Sequence, residues 1–307
     1  MSRKIWGEFG ITLPKTTKTS ANAMQKAKLN WTVESKRIQV VDGQKIDGKV
    51  AIVRTDTNDV LGIVNSSYKS IQNINVFSFL DKSIQNGSAS FHAAGFIGKG
   101  EKIWLLIKLN DEITLPSKDV IEKFILFSNA HDGRGAIRAY FLPIRKSTQT
   151  LLNISFGKRV EQGIALRHVG KVYQRIDDSK KIFDLADRFY QKFEESILKL
   201  YKSVFDTKKI EMFIESVFST YSLESTRTKN NLEKIRQQHN FESKKFSNST
   251  SAWSWFCSVV NYIDYERLSK GSSHSEKISN HLESLFWGNG LLLKQKAWES
   301  VSTLIKL

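Results

Sequence analysis

The spacing of apolar residues changes character near Ile176, and that change limits the fold more than any other feature of the chain. Before it, short runs rich in Val and Ile (KRIQVV, KVAIVRTDT and VLGIVN) are punctuated by Asp42-Gly43, Asp47-Gly48 and Asn58-Asp59, the pattern of strands joined by tight turns. After it, SKKIFDLADRFYQKFEESILKLYKS sets Ile182, Leu185, Phe189, Phe193, Ile197, Leu200 and Val204 on one face of a helix. Within the first part, INVFSFLDKSIQNG reads as a helix ending at Asn86-Gly87. A hairpin follows, SFHAAGFIG and KIWLLIKL turning at Lys99-Gly100, and then DVIEKFILFSN, AIRAYFLPIR, TLLNISFG and ALRHVGKVYQRI. Within the second part, further helices are expected at KKIEMFIESVF, around Arg227–His239, at SAWSWFCSVVNYIDYERL, and at HSEKISNHLESLFW and LLLKQKAWESVSTLIKL on either side of Gly288-Asn289-Gly290. Three strands, a helix, a hairpin and more strands make an α+β chain, not an alternating βαβ series. The expected organisation is a flexible basic arm over 1–30, an antiparallel-sheet-rich α+β core domain with one or two helices over 31–175, and an all-helical domain over 176–307.

Charge follows the same division. The 307 residues carry a formal net charge of +16. Residues 1–175 hold 27 Lys and Arg against 14 Asp and Glu, a net of +13, and the remaining 20 against 17 leave +3. Between Gly133 and Arg175 nine basic residues stand against one acid, Glu161. So uneven a distribution is the footprint of a surface that tracks phosphates. No apolar run approaches the ~18 residues needed to cross a bilayer, and no apolar segment follows the basic start, so a secretory signal is not expected. A single cysteine, Cys257, excludes internal disulfides and Cys-based zinc modules, and it sits in an apolar helical pattern that suits a packing thiol. These features point to the cytoplasm.

The tests for bond chemistry come out weak. Hydrolysis of phosphodiesters by metal ions needs clustered carboxylates or histidines, and Asp56, Asp59, Asp81 and Asp132 form no paired motif in sequence. The run Gly95-Phe96-Ile97-Gly98-Lys99-Gly100 lacks the spacing of a phosphate loop and is followed by a strand, so a hairpin turn is the better reading. His274 and His281 fall seven apart on a helix without a third ligand and read as surface histidines. No serine sits in a nucleophile elbow. The stretch SNAHDGRGAIRAYFLPIR, Ser128–Arg145, offers His131-Asp132 as an acid-base pair, but Asp-Gly is favourable turn chemistry whatever the function. The turn is preferred to the pair.

Several fragments together carry a resemblance. They are Arg54-Thr55-Asp56 with Leu61-Gly62-Ile63-Val64, then Tyr68, Gln72-Asn73, Ala94-Gly95, Gly100 and Trp104. Next come Ser128 through Gly133, Pro143-Ile144-Arg145, Leu166-Arg167-His168, Tyr262 through Arg267, and Gly288 with Lys294, Lys296 and Ala297. In that order the chain resembles the bacterial phage/plasmid-like protein family, catalogued as a domain of unknown function. The family usually continues after the arginine with Cys-x-Asn-Thr-Leu; here Thr148 stands for the Cys and Thr150 for the Asn, which argues against cysteine chemistry. The resemblance implies a mobile genetic element in a bacterial cytoplasm. A further similarity, of architecture alone, is to the ring-forming single-strand annealing proteins of phage recombination.

The expected function is binding and annealing of single-stranded DNA in phage or plasmid recombination or replication, by a basic groove, in an oligomer or ring, with no enzyme activity, cofactor, metal or membrane partner. Arg134, Arg138, Arg145, Arg159 and Arg167 are the expected phosphate contacts, extended by Lys146, Lys158, Lys171, Lys99 and Lys102. Tyr140 is offered for base stacking and His131 as a phosphate donor. Arg138 and Arg145 are seven apart, so they share a groove only if a bulge or a bend at Pro143 intervenes. The alternative is a protein-binding effector, a counter-defence protein or replication regulator acting on a phage or host replication or recombination protein. Trp253, Trp255, Trp287 and Trp298 would then serve as aromatic contacts. A third reading is a metal-dependent DNA enzyme.

Overall fold

A computed structural model describes residues 10–154, 163–166, 181–218, 226–245, 250–267 and 270–307. Two antiparallel sheets come first. The larger has seven strands in the order β1-β5-β6-β7-β8-β10, with β9 pairing β8. Its strands are β1 (Gly10–Thr12), β5 (Ala89–Ile97), β6 (Lys102–Thr114), β7 (Val120–Ala130), β8 (Ile137–Arg145), β9 (Thr150–Leu151) and β10 (Gly163–Leu166). The smaller is β2 (Val33–Gln39), β3 (Lys45–Arg54) and β4 (Val60–Asn65) in sequential order. Short helices α1 (Ser20–Lys26), α2 (Asn73–Phe77) and α3 (Asp81–Gln85) lie among these strands. From residue 182 the described elements are helices: α4 (Ile182–Lys202), α5 (Thr207–Phe218), α6 (Thr226–Lys245), α7 (Ala252–Asn261) continuing into a π-turn at Tyr262–Glu266, α8 (His274–Trp287) and α9 (Asn289–Ile305). The α+β class, with the sheets before the helices, is as the periodicity foretold.

The helices cover the large sheet instead of standing apart from it. Phe141 of β8 packs on Phe189 of α4 with centroids 5.1 Å apart, and Trp104 of β6 meets Phe286 of α8 edge-on at 5.8 Å. One buried apolar cluster therefore runs from Leu13 to Val301. Burial on both faces explains why β6 and β7 read as near-continuous apolar runs. The polar helix α6 contributes Leu232, Ile235, His239 and the buried Glu242 at helical spacing, with His239 stacked on Trp255 at 3.6 Å.

Two expectations for local structure need correction. The basic arm is not loose over its described part: β1 pairs with β5, and Leu13, Ala23, Met24 and Leu29 are buried. Among the described residues of TLLNISFG, strand is confined to the two-residue β9, Leu152–Ile154 being non-strand, and residues 155–157 lie outside the described ones.

Candidate nucleic-acid interface

The His-Asp-Gly turn is held from three sides. The His131 ring is fully buried and donates from Nε2 to Asn73 Oδ1 at 2.8 Å, while Asn73 Nδ2 donates to the Leu29 carbonyl at 3.0 Å. Main-chain N–H of His131 donates to Glu101 O at 2.7 Å, and Tyr68 Oη donates to Ala130 O at 2.8 Å. Asp132 accepts instead from the N–H of Arg134 at 2.8 Å, a two-residue Asx turn. His131 and Asp132 thus serve different neighbours, and the acid-base pair does not form. A Cβ on Gly62 of β4 would lie 2.7 Å from Asp132 Cα, and one on Gly133, whose φ is +74°, would lie 2.4 Å from Val64 Cγ1. The turn is therefore seated against β4, and Gly133 supplies a left-handed conformation that other residues adopt at a cost.

The neighbouring signature residues are scaffold too. Arg54 lies 4.4 Å from the Trp31 ring centroid, chelates Asp56 at 2.7 and 2.9 Å, and donates to Lys99 O at 2.8 Å. Gln72 clasps the main chain of Val33 in both directions, at 3.0 and 2.8 Å. A second fastening uses the π-turn. Buried Asp264 pairs with buried Lys294 and accepts from Leu151 N at 2.8 Å, Lys294 donates to Leu151 O at 3.0 Å, and His281, half-buried and not a surface residue, bonds Asp264 O at 2.6 Å. Burial pushes the Asp264 carboxyl up and the Lys294 ammonium down from their ordinary values. Thr148 and Thr150 hydrogen-bond each other at 2.6 Å inside this fastening.

Strand β8 sorts the arginines. Its pairing with β7 runs from Ile121↔Arg145 to Ser128↔Arg138 without a register shift, so residues seven apart face opposite sides. Arg145 turns into the core at 2% exposure, bonded by Nε to Asp119 Oδ2 at 2.6 Å and by Nη1 to Glu242 Oε2 of α6 at 2.5 Å. Trp253 Nε1 donates to the same Asp119 oxygen at 3.3 Å, and Asn261 Nδ2 donates to Glu242 at 3.4 Å. Beside this group, burial drives the Cys257 thiol pKa well up. Arg145 and His131 are thus corrected from phosphate contacts to buried structural groups. The reason is the same for both: each satisfies polar atoms that the packing of helices or loops onto the sheet has taken out of water.

Arg138 faces the other way, into a cleft between the large sheet and α8. The register row Gly10, Gly95, Trp104, Ser128, Arg138 and Ala165 crosses this face. Gly10 leaves room for the Trp104 indole, since a Cβ there would sit 2.3 Å from it. The cleft holds two adjoining cavities. One, about 200 Å³, is lined by Lys102, Ser128, Arg134, Arg138, Glu283 and Trp287 among others. The other, about 520 Å³, shares Lys102, Arg134 and Glu283 and adds Glu101, Asp132 and the α8 residues Ser275, Glu276 and Ser279. Lys102 pairs with Glu283, lies 3.9 Å from Asp132 Oδ2, and stands 5.7 Å from the Trp287 ring. Among the described residues, Arg134 and Arg138 have no carboxylate partner; Arg138 lies 6.0 Å from the half-buried Tyr140 ring. A hydrogen bond from Ser272 holds the Glu276 carboxyl below its ordinary value at the mouth of the second cavity.

The cleft thus gathers Arg134, Arg138 and Lys102. Lys99 lies at the hairpin tip, paired with Asp59 at 2.9 Å, and Lys146 at the far end of β8, paired with Glu112 at 3.1 Å. Lys158, Arg159, Arg167 and Lys171 lie outside the described residues. Sequence reasoning missed Glu283, and it assigned Trp287 to a protein partner. Their i, i+4 spacing in HLESLFW was the available signal that both share one helix face. Trp253, Trp255 and Trp298 are core. Among the described residues no group of three or more His, Cys, Asp or Glu is placed to hold a metal ion, and no helix is long and apolar enough to cross a membrane.

In comparison with known proteins, the sequence profile of the family described as Domain of unknown function (DUF932) matches residues 60–286. No curated protein and no solved structure matches the chain.

Proposed function

We propose, for a chain that belongs to the family described as Domain of unknown function (DUF932), that it binds single-stranded nucleic acid at the cleft between β8 and α8 without making or breaking bonds. The observation that carries this reading is the pair Arg134 and Arg138, free of carboxylate partners among the described residues, beside a half-buried tryptophan. Cationic side chains that follow a backbone and an aromatic ring that takes a base are what single strands require. The excess of +13 over residues 1–175 supplies the long-range attraction. Annealing in phage or plasmid recombination or replication, in the cytoplasm of a bacterial host and on an oligomer, is the role proposed for that binding.

The test is fluorescence anisotropy with labelled single- and double-stranded oligonucleotides over a salt series, with and without magnesium. Wild-type protein should bind single strands with steep salt dependence and leave them intact. Arg134→Glu with Arg138→Glu should weaken binding and flatten the log–log salt slope by roughly 1.4, the share of two phosphates on a single strand. An unchanged slope would remove the two arginines from the interface, and magnesium-dependent product would overturn the non-enzymatic reading.

A second reading, a protein-binding effector, is favoured by the β2–β3 hairpin, where Val40, Val41 and Ile46 stand exposed. Nucleic-acid-free protein with no affinity for oligonucleotides at low salt would select it.

A further inference from the structure

We infer that the smaller cavity of the cleft is a base-reading pocket that favours nucleobases carrying an exocyclic amino group, with Trp287 as the stacking surface and Glu283 as the acceptor; this deepens the single-strand reading and rests on it. Three observations lead there.

Trp287 differs from the tryptophans of α7 and α9. Trp253, Trp255 and Trp298 are buried, whereas Trp287 is half-buried and lines a cavity of about 200 Å³. Small residues, Ala130, Gly135, Ala136 and Gly288, form much of the rest of that wall. They leave a planar ring system room beside the indole. Base–aromatic stacking of this kind is tolerant of sequence and needs no hydrogen bond.

The charge of the walls reverses along the cleft. The smaller cavity has Lys102, Arg134 and Arg138 against Glu283. The larger has Lys102 and Arg134 against Glu101, Asp132, Glu276 and Glu283. A phosphodiester backbone is drawn to the Arg138 side and repelled from the other. A base attached to that backbone then directs its far edge toward the acidic side, where Glu283 is the first carboxylate it meets.

Glu283 is fixed in place and keeps acceptor capacity. Its Oε1 pairs with Lys102, and its side chain remains 40% exposed. An ionised carboxylate only accepts hydrogen bonds. It therefore suits the amino groups of cytosine, adenine or guanine, and it repels the carbonyl oxygen that thymine presents where cytosine has N4. Lys102 has the complementary part: it neutralises Glu283 when no base is present and stands near the ring at 5.7 Å.

Anisotropy with labelled oligodeoxycytidine and oligothymidine of equal length tests this, with an abasic oligomer as the third probe. The wild type should prefer the cytidine oligomer by about tenfold, roughly the worth of one charge-assisted hydrogen bond. Glu283→Gln, whose amide can both donate and accept, should bring the ratio near one. Trp287→Ala should weaken both base-bearing oligomers toward the abasic level, and Trp287→Phe should restore much of the loss. Thermal melts of each variant confirm the fold. Salt-steep binding that is blind to the base and indifferent to Trp287→Ala overturns the pocket and leaves the single-strand reading standing. Absence of binding to all three oligomers at low salt overturns both.

Discussion

Arg145 shows how one position can look like a ligand contact in sequence and be a structural group in the fold. It follows Pro143-Ile144 in the most basic stretch of the chain, yet it sits between Asp119 and Glu242 at 2% exposure. Removing one partner of a buried charged group strands the others, which costs about 3–5 kcal/mol. Arg145→Met should therefore lower the free energy of unfolding in urea by that amount, where a loss of less than about 1 kcal/mol would mean that Asp119 and Glu242 do not depend on it. The strand period was sufficient to say that Arg138 and Arg145 part company on an unbroken strand, and the register is unbroken. What the period left open was which arginine faced the core. That depends on Glu242, 97 positions away on a helix with a narrow apolar stripe. His131 was opaque for the same reason, since its partner Asn73 is 58 residues distant.

At the scale of elements, long periodic segments were legible and short ones were not. The stripe of α4 was readable over 21 residues, whereas β1 and α1, at three and seven residues, are too short to show a period and were taken into a loose arm. The corner between the two sheets makes a pH-dependent contribution of known sign. The hydrogen bonds from Arg54 hold the Asp56 carboxyl below its ordinary value of 3.8. A depressed folded value means that the carboxylate's contribution is complete above the ordinary value and is lost as pH falls through the folded one. The melting temperature should consequently fall as the solution is acidified below pH 4, and Asp56→Asn should melt lower at neutral pH with a shallower acid limb. An identical acid limb in the variant would show that this corner does not contribute. High salt should shrink the difference, because Asp56 is exposed.

For the whole molecule, the basic excess of the first half and the helical cover of the second meet at one place, the cleft where Arg134 and Arg138 face Glu283 and Trp287. The charge asymmetry was plain in the sequence, and two of the arginines it pointed to do reach the cleft. The acidic wall was hidden, because Glu283 comes to the site only when α8 packs on Trp104. Most signature residues among the described ones bolt sheets and helices together, and the proposed use falls to Arg134 and Arg138, which have no carboxylate partner among the described residues. Photocrosslinking tests that use most directly: single-stranded DNA carrying 5-bromodeoxycytidine is irradiated with the wild-type protein, and the linked peptides are mapped. Crosslinks confined to peptides spanning 131–141 and 279–289 are the predicted result. Crosslinks concentrated on the β2–β3 hairpin, or spread over the surface without preference for the cleft, would contradict the account.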